Sequence, residues 1–134
     1  MRQKVYSGRL KLNGEEHQHT LRAANNYANS LGDLERYKEA KSLLGKKVPV
    51  ARRVLGETDR LTLKMRWCYA RALYCDPGAT LDDFRKAVTT LEEMERTARR
   101  VLGGAHLLTP GIDTCLRESR VALRAREEPP SGGA

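Results

Sequence analysis

The sequence predicts an all-α protein, arranged as a solenoid of antiparallel helix pairs with about five helices. Landmarks of one segment recur 42 positions later, so that Gly14 matches Gly56 and Thr20-Leu21 matches Thr62-Leu63. A period between about 20 and 50 residues is typical of stacked-repeat architectures. Only 5% of the 134 residues are aromatic. A core must therefore rest on Leu, Ala and Val, whose helical spacing in both copies favours closely packed helices over a sheet.

The first repeat, over residues 12–53, is predicted to begin with a helix capped by Thr20, because a threonine hydroxyl can accept a hydrogen bond from the exposed amides of the first turn. Apolar residues at helical spacing then run to Leu31. The pair Gly32-Asp33 marks the end of this helix.

The second helix of this repeat is expected to begin between Glu35 and Tyr37 and to end near Leu55-Gly56. Its interior contains Gly45 and Pro49. An interior proline removes one backbone hydrogen bond and costs about 3 kcal/mol. A kink or a local break is therefore predicted between Leu44 and Val50.

The second repeat, over residues 54–100, follows the same logic, with Thr62 as the predicted cap and Cys75-Asp-Pro-Gly78 as the stop. The clearest amphipathic stripe runs from Leu81 to Leu102. Five residues are inserted near Pro77-Gly78, after which the repeat displacement becomes 47. Insertions of this kind normally lie in a surface turn.

A third, partial repeat over residues 101–126 is predicted to contribute one helix, at about residues 111–125. Residues 1–11 are interpreted as an N-terminal segment, the remnant of a preceding helix. Residues 127–134 are polar and rich in Pro and Gly, and they are expected to be a disordered tail.

Charge and cysteine content limit the classes of partner and site. The formal net charge is +8, which favours acidic peptides, nucleic acids or anionic membranes. Cys68, Cys75 and Cys115 are odd in number and form no CxxC motif, which disfavours a disulfide framework or a zinc site. No apolar leader or membrane-length apolar run occurs. A cytoplasmic protein without cofactors or a membrane span is therefore expected.

Catalysis is disfavoured by the motifs. The chain has no Gly-rich phosphate loop, no HExxH and no GxSxG. His17, His19 and His106 have no neighbouring cluster of further ligands, so they are interpreted as loop residues rather than as a metal site. The sequence predicts a protein that is not an enzyme and that holds no metal.

The repeat resembles the tetratricopeptide repeat (TPR), in particular its 42-residue kinesin-light-chain-like subtype. The first copy carries the resemblance through Gly14, His17, Thr20-Leu21, Asn25-Asn26-Tyr27-Ala28, Tyr37-Lys-Glu-Ala40 and Val54-Leu55-Gly56. Four residues depart from the pattern. Lys47 stands where alanine is usual, Arg117 stands where a small residue is usual, Arg66 matches Ala24, and Asp59 takes the place of the histidine. These departures indicate a diverged array.

The resemblance implies a concave groove lined by the first helix of each pair, and an adaptor that grips an extended, acidic segment of another protein. Carried over residue by residue, the groove residues are Arg22, Asn25, Asn26, Asn29, Lys64, Trp67 and Arg71. Asn can bond a peptide backbone, and Lys and Arg can pair with carboxylates. For Trp67 the alternative is a side chain half buried against a neighbouring helix.

Two other functions remain open. Nucleic acid or another polyanion would bind an arginine stripe formed by Arg117, Arg120 and Arg124, although the aromatic platforms of single-strand binders are missing. Alternatively, the chain is a structural piece of a longer array. Self-association through exposed repeat ends is compatible with either function, because fewer than three full repeats is marginal for a solenoid.

Overall fold

The computed structural model describes residues 18–102 and 108–127, and the predictions for residues 1–11, Gly14, His17, His106 and 128–134 lie outside these ranges. The described part of the chain is helical and contains no strand, which confirms the predicted all-α class. The helices are α1 (Gln18–Asp33), α2 (Tyr37–Val54), α3 (Arg60–Cys75), α4 (Leu81–Leu102) and α5 (Leu108–Glu127).

Consecutive helices run antiparallel. A short turn reverses the chain after α1, where the Arg36 N–H donates to the Leu31 carbonyl at 2.8 Å and Glu35 has a φ of 59°. The start of α3 lies beside the end of α2, since the Thr62 hydroxyl donates to the Ala51 carbonyl. Each helix therefore packs on the one that precedes it.

Three ion pairs show the antiparallel order of α4 and α5 most clearly. As the chain advances along α4, its ion-pair partners move backwards along α5. The pairs are Arg85 with Glu127, Glu92 with Arg120, and Arg99 with Asp113. The helices α3 and α5, by contrast, run parallel, because Trp67 bonds to Cys115 and Tyr74 to Glu118.

The odd-numbered helices contact one another in sequence, α1 with α3 and α3 with α5. This arrangement is compatible with a helical solenoid. The apolar core follows the helix pairs. One cluster, around Leu21, Leu44 and Met65, joins α1, α2 and α3. Another, around Leu63, Leu91 and Ile112, joins α3, α4 and α5. No unit buries its apolar face alone, as expected for stacked repeats.

Of the two predicted outcomes near Pro49, the local break is wrong, because α2 continues through both Gly45 and Pro49, and the kink stays a prediction. Pro49 removes the hydrogen bond that Gly45, four residues earlier, would have accepted. Both residues are exposed, so water can satisfy the Gly45 carbonyl. Helix α2 is also held on its other face by the buried Leu44, Val48 and Ala51.

The predicted threonine caps are also wrong. Helix α1 already includes Gln18, and α3 begins at Arg60, so that Thr20 and Thr62 lie inside their helices and are fully buried. The cap of α3 is Asp59, whose carboxylate accepts from the Leu61 N–H at 2.8 Å. The Thr62 hydroxyl bonds across to α2 instead, which satisfies its polar group within the core.

The insertion in the second repeat lies partly in the turn and partly in α4. Ala40, Leu44 and Ala51 match Ala87, Leu91 and Ala98 at a displacement of 47, and all six are buried. Tyr37 opens α2, but its equivalent, Phe84, follows three residues that already belong to α4. The insertion therefore lengthens α4 at its amino end as well as the loop before it.

The third repeat has a displacement of 49 from the second rather than 47. Leu63 matches Ile112 and Ala70 matches Ser119, and all four residues are buried. Ser119 thus supplies the small residue that we expected at Arg117, which is exposed. Helix α5 begins at Leu108 and ends at Glu127, beyond both predicted ends. Pro110 is tolerated in its first turn, where backbone amides have no intrahelical acceptor.

Candidate functional site

Four of the seven predicted groove residues line one pocket of 460 Å³, where the amino-terminal ends of α1 and α3 lie side by side. These four are Arg22, Asn25, Asn26 and Lys64. The remaining wall contains Gln18 and Leu61 together with Asp59 and Arg60. We call this the amino-end pocket.

The amino-end pocket is electropositive. Among the described lining residues, three cationic side chains, Arg22, Arg60 and Lys64, face a single carboxylate, that of Asp59. That carboxylate is already engaged as the cap of α3. Because α3 begins at Arg60, the positive end of its helix dipole also points to this region. Side chains and backbone therefore favour a negatively charged ligand.

Asn25 is a buried polar residue in the wall of the amino-end pocket. It is only 5% exposed, and its side-chain oxygen accepts no hydrogen bond from the residues that the structure describes. An unsatisfied buried polar group costs about 1–3 kcal/mol. The predicted contact at Asn25 thus lies deeper than sequence spacing indicated, in the pocket wall rather than on the open face.

Two further predicted residues, Asn29 and Arg71, line a second pocket of 300 Å³ at the carboxyl-terminal halves of α1 and α3. We call this the carboxyl-end pocket. Its only charged lining groups are Arg71 and Asp33, which balance one another, and Tyr37 adds an aromatic wall. The Asn29 side-chain oxygen accepts from the Cys68 thiol at 2.7 Å, which ties α1 to α3.

The seventh residue, Trp67, is half buried and packs against α5. Its Nε1 donates to the Cys115 sulfur at 3.0 Å. Sequence analysis left open a second interpretation of Trp67, in which the side chain packs against a neighbouring helix. The structure agrees with that interpretation. Trp67 therefore lies apart from both pockets, and its indole N–H is already bonded.

The three cysteines are free thiols: Cys68 and Cys75 lie in the carboxyl-terminal half of α3, and Cys115 lies in the amino-terminal half of α5. Burial raises the pKa of the Cys68 thiol to about 11, and it also raises the pKa of Cys75. The pKa of Tyr74 is raised chiefly by burial and further by the neighbouring Cys115 and Glu118, the latter of which accepts the hydrogen bond of the Tyr74 hydroxyl. A thiol with a raised pKa is a poor nucleophile at neutral pH.

The arginine stripe on α5 divides into free and engaged residues. Arg120 donates to Glu92 at 2.9 Å, whereas Arg117 and Arg124 are exposed. Within residues 18–102 and 108–127, neither Arg117 nor Arg124 has an ionic partner. Arg126, at the end of the stripe, lies 5.0 Å from the centre of the Phe84 ring. Only part of the stripe is therefore available to a polyanion.

Sequence reasoning missed Arg60 and Asp59, which complete the amino-end pocket, and Tyr37 and Asp33, which complete the other. Arg60 follows the cap of α3 and is one position before the apolar stripe, so its side chain falls on the pocket side. The misassigned cap at Thr62 obscured this position. If Asp59 had been assigned as the cap, the start of α3 would have been predicted correctly and Arg60 would have been included among the pocket residues.

The remaining predictions concern metals and membranes. The interpretation of His19 as a loop residue is wrong, because it is an exposed residue of α1. Among the described residues, no group of three His, Cys, Asp or Glu side chains is arranged to hold a metal ion. No helix in these ranges has the length and apolar character needed to cross a membrane.

Comparisons with protein-family models, with curated proteins and with solved structures find no match to this chain.

Proposed function

We propose that this chain is a TPR-like adaptor that binds an extended, acidic segment of another protein along the face shared by α1 and α3. The observation that carries the proposal is the amino-end pocket, where Arg22, Arg60 and Lys64 converge on one side of paired helix starts. Carboxylates of a ligand would pair with these cations, and charge-assisted hydrogen bonds are about twice as strong as neutral ones.

The carboxyl-end pocket would hold the continuation of the same segment. Arg22 and Asn29 are seven residues apart, which corresponds to about 10 Å along a helix. An extended peptide covers this distance in about three residues. The carboxyl-end pocket carries no excess charge, so the proposed ligand has its acidic residues at one end and a neutral or apolar residue about three positions away.

Asn25 and Asn26 would contribute polar character within the amino-end pocket. Both residues line that pocket, and the exposed Asn26 is the one that a ligand can reach directly. Trp67 is left out of the proposed contact surface, since its ring is committed to the α3–α5 contact. A cytoplasmic setting belongs to the proposal as well, and the three free thiols support it.

The test is affinity selection of short peptides rich in Asp and Glu, followed by fluorescence anisotropy with the best binder. The decisive variant is Arg22→Gln/Lys64→Gln, which removes two exposed cations from the amino-end pocket. We expect it to weaken binding about tenfold or more. The matched control is Lys46→Gln/Arg117→Gln, which removes the same charge from exposed positions of α2 and α5.

Equal weakening by both variants would show that net charge attracts the peptide rather than a pocket, and would contradict the proposal. Failure to select any acidic peptide would also contradict it. The polyanion alternative is tested in parallel with single-stranded RNA. A steep salt dependence that Arg117→Gln/Arg124→Gln abolishes, and Arg22→Gln/Lys64→Gln does not, would favour nucleic-acid binding instead.

A further inference from the structure

A second electropositive pocket, of 420 Å³, lies between the carboxyl-terminal part of α2, the middle of α3 and the carboxyl-terminal half of α4. Four arginines line it: Arg52, Arg66, Arg96 and Arg100. We call it the arginine pocket. It shares no lining residue with either pocket of the α1–α3 face.

The charges in the arginine pocket are unbalanced. The carboxylates among its described lining residues are Glu57, which pairs with Arg52, and Glu93, which pairs with Arg66. Arg96 and Arg100 are exposed and have no ionic partner within the described ranges. They are one helical turn apart, so two like charges lie on the same face of α4, which is unfavourable in the absence of a partner. The pocket thus carries an excess of two positive charges.

Arg66 forms the buried base of the arginine pocket. Its side chain is only 6% exposed, and the single hydrogen bond that its guanidinium makes with the described residues runs to Glu93 at 2.9 Å. A guanidinium has five N–H donors in a planar fork, so most of its donors are left over. The matching position in the first repeat is Ala24, which means that the helix packing does not itself require an arginine here.

Helix dipoles do not explain this cluster. Cations near the carboxyl ends of α2 and α4 are favoured by the dipoles, which accounts for Arg52 and Arg100 as surface residues. The dipoles do not account for Arg66, which is buried in the middle of α3. Because those helix ends are negative, anion binding here would depend on the arginine side chains alone.

We propose that the arginine pocket binds a phosphomonoester dianion. Its two excess charges match the charge of a phosphomonoester above its second pKa of about 6. Arginine forks pair with phosphate oxygens through two parallel hydrogen bonds. The hydroxyl of Thr97, on the wall between Arg96 and Arg100, adds a neutral donor. A volume of this size holds a phosphate group together with a few neighbouring atoms.

The experiment is isothermal titration calorimetry at constant ionic strength with inorganic phosphate and with a phosphoserine peptide, using the unphosphorylated peptide as a blank. Tighter binding of the peptide than of phosphate would assign the site to phosphorylated proteins, and the reverse would assign it to free phosphate. No binding of either probe would overturn the proposal.

The decisive variant is Arg96→Gln/Arg100→Gln, for which we expect binding to weaken by about tenfold or more. Both side chains are exposed, so the fold should be retained, which circular dichroism checks. Arg117→Gln/Arg124→Gln is the matched control, with the same charge change on α5. Equal loss in the two variants would indicate a diffuse positive field and would overturn the proposal.

A charge-retaining variant and a pH series separate specific recognition from general attraction. Arg96→Lys/Arg100→Lys keeps the charge but loses the planar fork, so an intermediate loss of affinity is expected. Affinity for the phosphopeptide should fall between about pH 7.5 and pH 5, as the dianion becomes a monoanion while arginine stays charged. Affinity that is independent of pH would contradict recognition of a dianion.

Discussion

The ring of Trp67 lies directly against the backbone of Gly111: a Cβ atom added to this glycine would be 2.7 Å from Cη2 of the indole. Atoms that are not bonded do not approach this closely in packed interiors. Helices α3 and α5 can therefore meet at this point only because residue 111 has no side chain. The nearby hydrogen bond from Trp67 to Cys115 completes the contact.

Gly111→Ala is expected to destabilise the protein by about 1–3 kcal/mol, as overpacking does in other cores. The measurement is urea unfolding followed by circular dichroism. Gly45→Ala is the matched control, because its Cβ would be 3.8 Å from the Tyr69 ring, an ordinary contact. At this exposed position in α2 alanine is expected to stabilise the protein by about 0.5–1 kcal/mol. Equal stability of Gly111→Ala and wild type would mean that the indole is free to move.

The amino end of α4 is closed by a reciprocal pair of hydrogen bonds. The Asp83 N–H donates to the Thr80 hydroxyl at 3.1 Å, and the Thr80 N–H donates to the Asp83 carboxylate at 3.0 Å. That backbone hydrogen bond lowers the pKa of Asp83 below its usual value of 3.8, and Lys41, at 3.5 Å, acts in the same direction. This arrangement is a capping box with aspartate in the third position.

Asp83→Ala is expected to cost about 1 kcal/mol at neutral pH. Because the folded-state pKa of Asp83 is depressed, its contribution is present above the unfolded pKa and is lost as the pH falls through the folded one. The difference in unfolding free energy between wild type and Asp83→Ala should thus narrow as the pH falls below about 4. Asp82→Ala, at a highly exposed neighbouring site, should stay within about 0.5 kcal/mol of wild type. If the difference in unfolding free energy between wild type and Asp83→Ala did not change with pH, the charge of Asp83 would not contribute to the cap.

The two partners of the Arg66–Glu93 ion pair should respond differently to substitution. Glu93→Ala leaves the buried guanidinium without its carboxylate, and we expect a loss of about 1–3 kcal/mol. Arg66→Met replaces a buried charge with an apolar side chain of similar length, which is often neutral or stabilising. Thermal and urea unfolding of both variants measure this contrast. If Arg66→Met lowers the free energy of unfolding more than Glu93→Ala does, the arginine itself stabilises the fold.

Cys68 should be slow to react with alkylating reagents. Burial raises its pKa from 9.0 to about 11. The thiolate fraction near pH 8 is then about a hundredfold lower than in the unfolded chain. Alkylation by iodoacetamide, followed by mass spectrometry of the Cys68 peptide, should therefore be much slower in the native protein than in urea. Equal rates in the two states would contradict burial of this thiol.

Much of the fold was predictable because helices depend on local spacing. The apolar stripe from Leu81 to Leu102 coincides with α4, and Cys75 ends α3 as predicted. Errors occurred where a residue had two chemically sensible roles. Thr62 has a capping hydroxyl, but it lies in the core and bonds to α2. The proline in α2 was predicted to kink or break the helix, yet the helix is not broken, since the lost hydrogen bond falls on the solvent side.

The candidate site was predictable only in part. The resemblance to the TPR assigned Arg22, Asn25 and Asn26 to the groove face of α1 and Lys64 to the matching face of α3, and these four residues line the amino-end pocket. Spacing could not show that Asn25 is buried or that Arg60 joins the pocket. It also could not choose between the two predicted positions of Trp67, because that choice depends on how closely α5 approaches α3.

Local residue patterns were sufficient to predict the helices, their order and the apolar faces that form the core, since each depends on residues within a few turns of one another. The partners of Trp67, Arg66 and Asn29, by contrast, lie 48, 27 and 39 positions away in the chain and became known only from the packed helices. Contacts across such separations are set by the packing distance and register of whole helices. No local pattern of residues encodes the packing distance or the register of helices. Both quantities determine which cationic side chains come together in a pocket.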